Sequence, residues 1–126
     1  MLIHYKKSYE KIAMGLLSFI PSEKDIRVLQ QTISRYEEEE PWQLFLWKDG
    51  EDVIGVIGIY RDEGSDEAVI KHLSVNPSYR AEGVGKKMIC AVDKALGEQV
   101  KLLPSDSIKG YFDSCFQNNE EKETGI

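Results

Sequence analysis

The chain has 126 residues, the length of one domain, and its 41% hydrophobic and 30% charged residues are an ordinary globular balance. A formal net charge of −6, with no basic stripe interleaved with aromatics, argues against a nucleic-acid partner. No apolar run approaches the length that spans a bilayer, so no membrane partner is expected either. An anionic ligand would have to be held by a local device, not by the field of the whole molecule.

The N-terminal stretch "MLIHYKKSYEKIAMGLLSFIPS" is interrupted by Glu10 and Lys11 and is followed by no small-residue cleavage site, so it reads as part of the domain. Cys90 and Cys115 show neither CxxC spacing nor a neighbouring histidine cluster, so no metal site and no redox pair are expected. Two buried thiols suit a cytoplasmic protein.

In chain order, residues 1–7 read as a short strand. Ser8 caps a helix that Pro21 ends, and Ser22 with Asp25 opens a second, amphipathic helix over 23–38 carrying Ile26, Leu29, Ile33 and Tyr36 on one face. "WQLFLWK" from Trp42 is β-prone, Asp49-Gly50 is a hairpin turn signal, and "DVIGVIGIYR" is apolar on both faces, as a central strand is. "EAVIKHLSV" is the next strand, stopped by Asn76-Pro77. Val84, Met88, Ala91, Val92, Ala95 and Leu96 form a helical stripe that Gly97 closes. "QVKLL" is a short strand before Pro104, and Ile108, Tyr111, Phe112, Cys115 and Phe116 share one face of a last helix. The order β-α-α-β-β-β-α-β-α describes a single α/β domain over 1–116 with a mixed central sheet, followed by a polar tail over 117–126. The unit spanning 67–103 requires a right-handed crossover between parallel strands.

The junction "VNPSYRAEGVGKKM" carries the chemistry. A Walker A loop would need glycine where Arg80 stands, and a dinucleotide fingerprint starting at Gly83 would need glycine where Met88 stands. What remains is Arg80-x-x-Gly83-x-Gly85 ahead of a helix. A helix start offers unpaired N–H groups and a positive dipole end, and glycines let backbone amides approach a phosphate. Lys86 and Lys87 fall in the first turn, where cations cost about 0.3–1 kcal/mol each unless an anion sits there.

The stretch "IKHLSVNPSYRAEGVGKKMICAV" resembles the core motif of the GCN5-related N-acetyltransferases (GNAT), in which a strand leads through Val-x-Pro-x-x-Arg/Gln-x-x-Gly-x-Gly/Ala to a helix. The order of elements matches over about 115 residues. The resemblance implies a GNAT fold and an acetyl-CoA-dependent N-acetyltransferase acting on a primary amine of a small molecule or protein. By position, Arg80, Ala81, Glu82, Gly83, Val84, Gly85 and Lys86 would hold the pyrophosphate of CoA. The edge of Leu73, Ser74 and Val75 would pair with the pantetheine arm, and the Leu73 amide would polarise the thioester carbonyl. Over the whole chain the likeness is to small bacillar members of the family encoded in riboflavin-synthesis operons, which implies a link to riboflavin metabolism and names a genomic context rather than a substrate.

The family's pattern is incomplete. The positions four and six residues before Val75, where members often carry a base, hold Lys71 and Val69. His72, the remaining candidate catalytic side chain on this strand, lies one residue away, on the opposite face of a regular strand. Phe112 stands where the family's acid tyrosine is expected, with Tyr111 beside it as the candidate acid. The family's C-terminal hairpin is missing, so the expectation is a truncated fold whose acceptor site is open or completed by a second subunit of a homodimer. The acidic run Glu37–Glu40 is a candidate attractor for a cationic acceptor. The alternative is a catalytically weak CoA or acetyl-CoA sensor or partner subunit.

Overall fold

The computed structural model describes residues 1–80, 82–105 and 108. Its elements are β1 (Leu2–His4), α1 (Glu10–Leu17), α2 (Ile26–Glu38), β2 (Trp42–Asp49), β3 (Asp52–Tyr60), β4 (Glu67–Val75), α3 (Val84–Leu96) and β5 (Lys101–Pro104). The sheet runs in sequence order, with β1 to β4 antiparallel to their neighbours and β5 parallel to β4. This is the expected α/β domain with a mixed sheet. The expected last helix, including Tyr111, Phe112 and Cys115, and the tail from residue 117 lie outside the described residues.

Both faces of the sheet are covered. Ile57, Ile59 and Ile70 pack under Met88, Ile89 and Val92 of α3, while Leu44, Leu46 and Val56 pack under Leu16, Leu17 and Ile33 of α1 and α2. Val56 and Ile57 face opposite layers, which is why β3 is apolar along its length and shows no polar alternation.

The helix starts differ from expectation. Lys7–Tyr9 form a 3-10 turn, so α1 begins at Glu10 and Ser8 does not cap it. Side chains hold this entry instead: Lys7 pairs with Glu10 and Glu37, and the Tyr5 hydroxyl donates to Glu37 at 2.7 Å. α1 ends at Leu17, and Pro21 opens a second 3-10 turn, Pro21–Glu23, where its missing N–H costs nothing. Asp25 then caps α2 alone, accepting the Arg27 N–H at 2.8 Å. The Ser22–Asp25 box is therefore not formed, and Glu23 leaves the helix for a buried position of its own.

β4 carries one irregularity. Ile59 pairs with Ile70 and Gly58 with His72, so Lys71 is an extra residue, a bulge. The bulge switches the side-chain parity of the strand. Ile70 joins the α3 layer, yet His72, two residues on, reaches Tyr36 on α2.

Candidate active site

The site begins where β5 ends beside β4. Their pairing runs from Glu67 opposite Lys101 to Ile70 opposite Pro104, a residue with no N–H to continue a ladder. On the other side, the Asn76 N–H donates to the Ile54 carbonyl at 2.8 Å. Antiparallel ladders alternate, so the backbone groups of Ser74 and His72 face β3, whereas those of Leu73 and Val75 face the gap. The gap opens into a cleft of about 440 Å³. Phe19, Ile20 and Pro21 form one wall, Lys71 to Val75 the floor, and Tyr79, Arg80 and Gly83 to Gly85 the far end.

The far end is shaped by local backbone chemistry. Asn76 Oδ1 accepts the Ser78 N–H at 2.9 Å and sets up the 3-10 turn Pro77–Tyr79. Gly83 follows with φ +75°, a left-handed conformation that a Cβ disfavours, and this conformation aims the chain into α3. The first helical hydrogen bond runs from the Lys87 N–H to the Gly83 carbonyl at 3.1 Å, so the amides of Val84 and Gly85 have no acceptor within the helix. No side chain caps Gly83, and no acidic residue sits in the first turn. Arg80 bridges the two parts of the cleft: its Nε donates to the Val75 carbonyl at 3.3 Å, and its guanidinium lies 5.7 Å from the Phe19 ring centroid. An uncapped helix start, a left-handed glycine and an unpaired strand edge in one cleft suit an extended ligand ending in phosphates.

The near end is built from side chains. His72 Nε2 lies 2.9 Å from Glu23 Oε1, and its Nδ1 lies 2.5 Å from the Tyr36 hydroxyl. Thr32 donates to Glu23 Oε2 at 2.7 Å, so both oxygens of this buried carboxylate are engaged. Burial holds the imidazole below its ordinary pKa, and the Glu23 carboxylate offsets part of that shift. Burial, then the charge of Glu23, push the Tyr36 phenol far above its usual value. The network assigns one set of protons: Nε2–H donates to Glu23, and Nδ1 accepts from Tyr36. Gly58 makes room for this. A Cβ there would collide with the Tyr36 hydroxyl and ring.

The structure brings Leu73, Ser74, Val75, Arg80, Gly83, Val84 and Gly85 into the same cleft as His72. The Ser74 hydroxyl points away, donating to the Leu16 carbonyl at 2.6 Å. Glu82 and Lys86 are not among the cleft's lining, and Ala81 and Tyr111 lie outside the described residues. The expectation that His72 faces away from Lys71 is corrected: the bulge turns both toward the α2 face. Lys71 Nζ sits 5.9 Å from the Tyr60 ring centroid, Tyr60 abuts Trp42, and Trp42 abuts Tyr36. Glu23, Thr32, Tyr36 and Gly58 were not visible as site residues. Tyr36 read as one more apolar position on a helix face, and Glu23 fell without a role at the start of the helix expected over 23–38.

A crossover sheet split at this point, with a phosphate-suited helix start at one end and an imidazole at the other, defines an acyl-CoA transferase fold. Residues 9–105 match the Acetyltransferase (GNAT) family, and the chain belongs to it. It is an N-acetyltransferase, and membership brings acetyl-CoA as co-substrate. An uncharacterized N-acetyltransferase in the lysA 3' region of Bacillus methanolicus is 50% identical over 115 residues, covering 91% of this chain and 94% of that one. A possible acetyltransferase from Clostridium difficile 630 shares the fold at TM-score 0.75 and 13% identity, over 90% of this chain and 87% of that one. The structure of AAC(6')-Iy with the bisubstrate analog CoA-S-monomethyl-acetylneamine superposes at TM-score 0.69 and 15% identity, over 100% of this chain and 89% of that one. At these identities the two structures speak to the fold alone.

Proposed function

We propose that the chain is a cytoplasmic enzyme that acetylates a primary amine, with the open edge of β4 holding the thioester and His72 receiving the amine's proton. The observation that carries this is a single cleft lined by both Leu73–Val75 and His72. The amides of Gly83 to Gly85 and the side chain of Arg80 bind the pyrophosphate. Backbone groups of Leu73 and Val75 align the pantetheine arm, which Arg80 frees by leaving the Val75 carbonyl. The Leu73 N–H stabilises the charge that develops on the thioester oxygen.

An amine of pKa about 10.4 is only about 0.04% neutral at pH 7, a cost of about 4.6 kcal/mol that a positioned base reduces. The amine nitrogen forms the new bond to the acetyl carbon as the C–S bond breaks and sulfur leaves with the electron pair. The amine's proton passes to the Tyr36 oxygen as the Tyr36 proton moves to Nδ1, which leaves an imidazolium whose Nε2–H faces the Glu23 carboxylate. A CoA thiolate, with a pKa near the ordinary thiol value of about 8.5, needs little acid assistance. Tyr111 remains a proposed donor to it.

One observation favours a second reading, a CoA-binding sensor with little turnover: both nitrogens of His72 already have partners. Thiol release from acetyl-CoA, measured against a panel of amines that includes riboflavin-pathway intermediates, separates the two. Turnover that is lost in His72→Gln supports transfer. Tight CoA binding with no turnover across the panel supports the sensor. Light scattering at assay concentration reads out the proposed homodimer.

A further inference from the structure

We propose that Lys71 makes the near end of the cleft a site for small amines that carry a carboxylate, amino acids above all, and not for polycations. The inference rests on the acetyl-transfer reading above and names its acceptor class.

In a regular strand Lys71 and His72 would point to opposite faces of the sheet. The bulge spends one extra residue of β4 to put them on the same face, beside Tyr60 and Tyr36 respectively. Both line the cleft. Their Cα atoms are about 3.8 Å apart, so an amine at the imidazole and a carboxylate at the ammonium fall within the span of one small molecule. The Lys71 ammonium rests over the Tyr60 ring at 5.9 Å, a weak contact for an exposed lysine that a carboxylate readily replaces.

The cofactor does not account for Lys71. Arg80 and the start of α3 stand at the phosphate end, and Lys71 lies about 13 Å along the strand from Val75. Nor is there a carboxylate to receive a second cation. Among the described residues that line the cleft, the cationic side chains are Lys71 and Arg80, His72 stands as the neutral ring, and no carboxylate is present. The nearest, Glu23, has both oxygens engaged by Thr32 and His72. The acidic run, a candidate attractor of cations in the sequence, is elsewhere. Glu37 is tied to Tyr5 and Lys7, and Glu38 and Glu39 border a separate hollow on α2 beside Arg27 and Arg35. A molecule of net charge −6 thus concentrates positive charge in this cleft.

The test uses the full chain with acetyl-CoA and follows thiol release. The acceptors are free amino acids, each paired with its carboxamide, and spermidine as the polycation. With each rate referred to the neutral amine, the expected result is a kcat/KM for the acid about two- to fivefold above that of its amide, the size of a partly exposed ion pair. Lys71→Glu should abolish or reverse that preference, Lys71→Arg should keep it, and neither should change CoA affinity measured by calorimetry. Amides or spermidine used as well as the acids, or a preference that survives Lys71→Glu, overturns the acceptor class and leaves acetyl transfer standing. CoA binding with no acceptor acetylated overturns the transfer reading, and the inference falls with it.

Discussion

The two ends of the cleft are made by different means. The phosphate end is backbone: a turn, a left-handed Gly83, the start of α3 and an unpaired strand edge, contiguous from Leu73 to Gly85. The near end is side chains brought from four separate places: Glu23 before α2, Thr32 and Tyr36 on α2, Gly58 on β3 and His72 on β4. A backbone device constrains neighbouring residues and so leaves a motif. A side-chain network constrains residues far apart in sequence, and each of them has an ordinary local explanation.

That contrast can be broken by substitution. The largest effect is expected at the near end: His72→Gln should lower kcat by about 10²-fold or more, the usual contribution of a general base, with CoA affinity unchanged. A variant that binds CoA more weakly instead would show that the two ends are not separable. Gly58→Ala drives a Cβ into Tyr36 and should cost about 1–3 kcal/mol of stability in denaturant unfolding, with turnover falling as Tyr36 leaves His72. At the far end, Gly83→Val forces a β-branched residue to φ +75° and should cost about 1–2 kcal/mol. Its signature in calorimetry is weaker CoA binding, while the His72–Tyr36 pair stays intact.

The smallest effect is one of pH. The folded state holds His72 below its ordinary value of about 6.5, so it prefers the neutral ring. The resulting stability is fully present above that ordinary value and is lost as pH falls through the lowered one. Melting temperature followed from pH 7.5 downward should drop more steeply for the parent chain than for His72→Gln. Parallel curves would mean that the histidine does not titrate differently on folding.

Much of the fold was legible because its signals are local. β-prone apolar runs, turn signals and the helical stripe of α3 placed every strand and the crossover. The helix starts were misplaced because side-chain ties of Lys7 and Tyr5 to Glu37, and a 3-10 turn at Pro21, override the capping signals of Ser8 and Ser22. The bulge at Lys71 left a mark that reading the strand as regular passed over. Ala68, Ile70, Leu73 and Val75 face one layer at steps of two, three and two, and the step of three spans the extra residue. That single residue decides which face Lys71 and His72 share, and its partners Glu23, Tyr36 and Gly58 carry no such mark.

The end of β5 beside β4 also bears on solubility. Unpaired strand edges are templates for other chains and a common route to aggregation. Among the described residues β5 ends at Pro104 opposite Ile70, and beyond it Leu73 and Val75 form the floor of a cleft flanked by Phe19 and Tyr79, with the Val75 carbonyl already accepting from Arg80. A strand edge recessed in this way is a poorer template for a neighbouring sheet than one at an open rim.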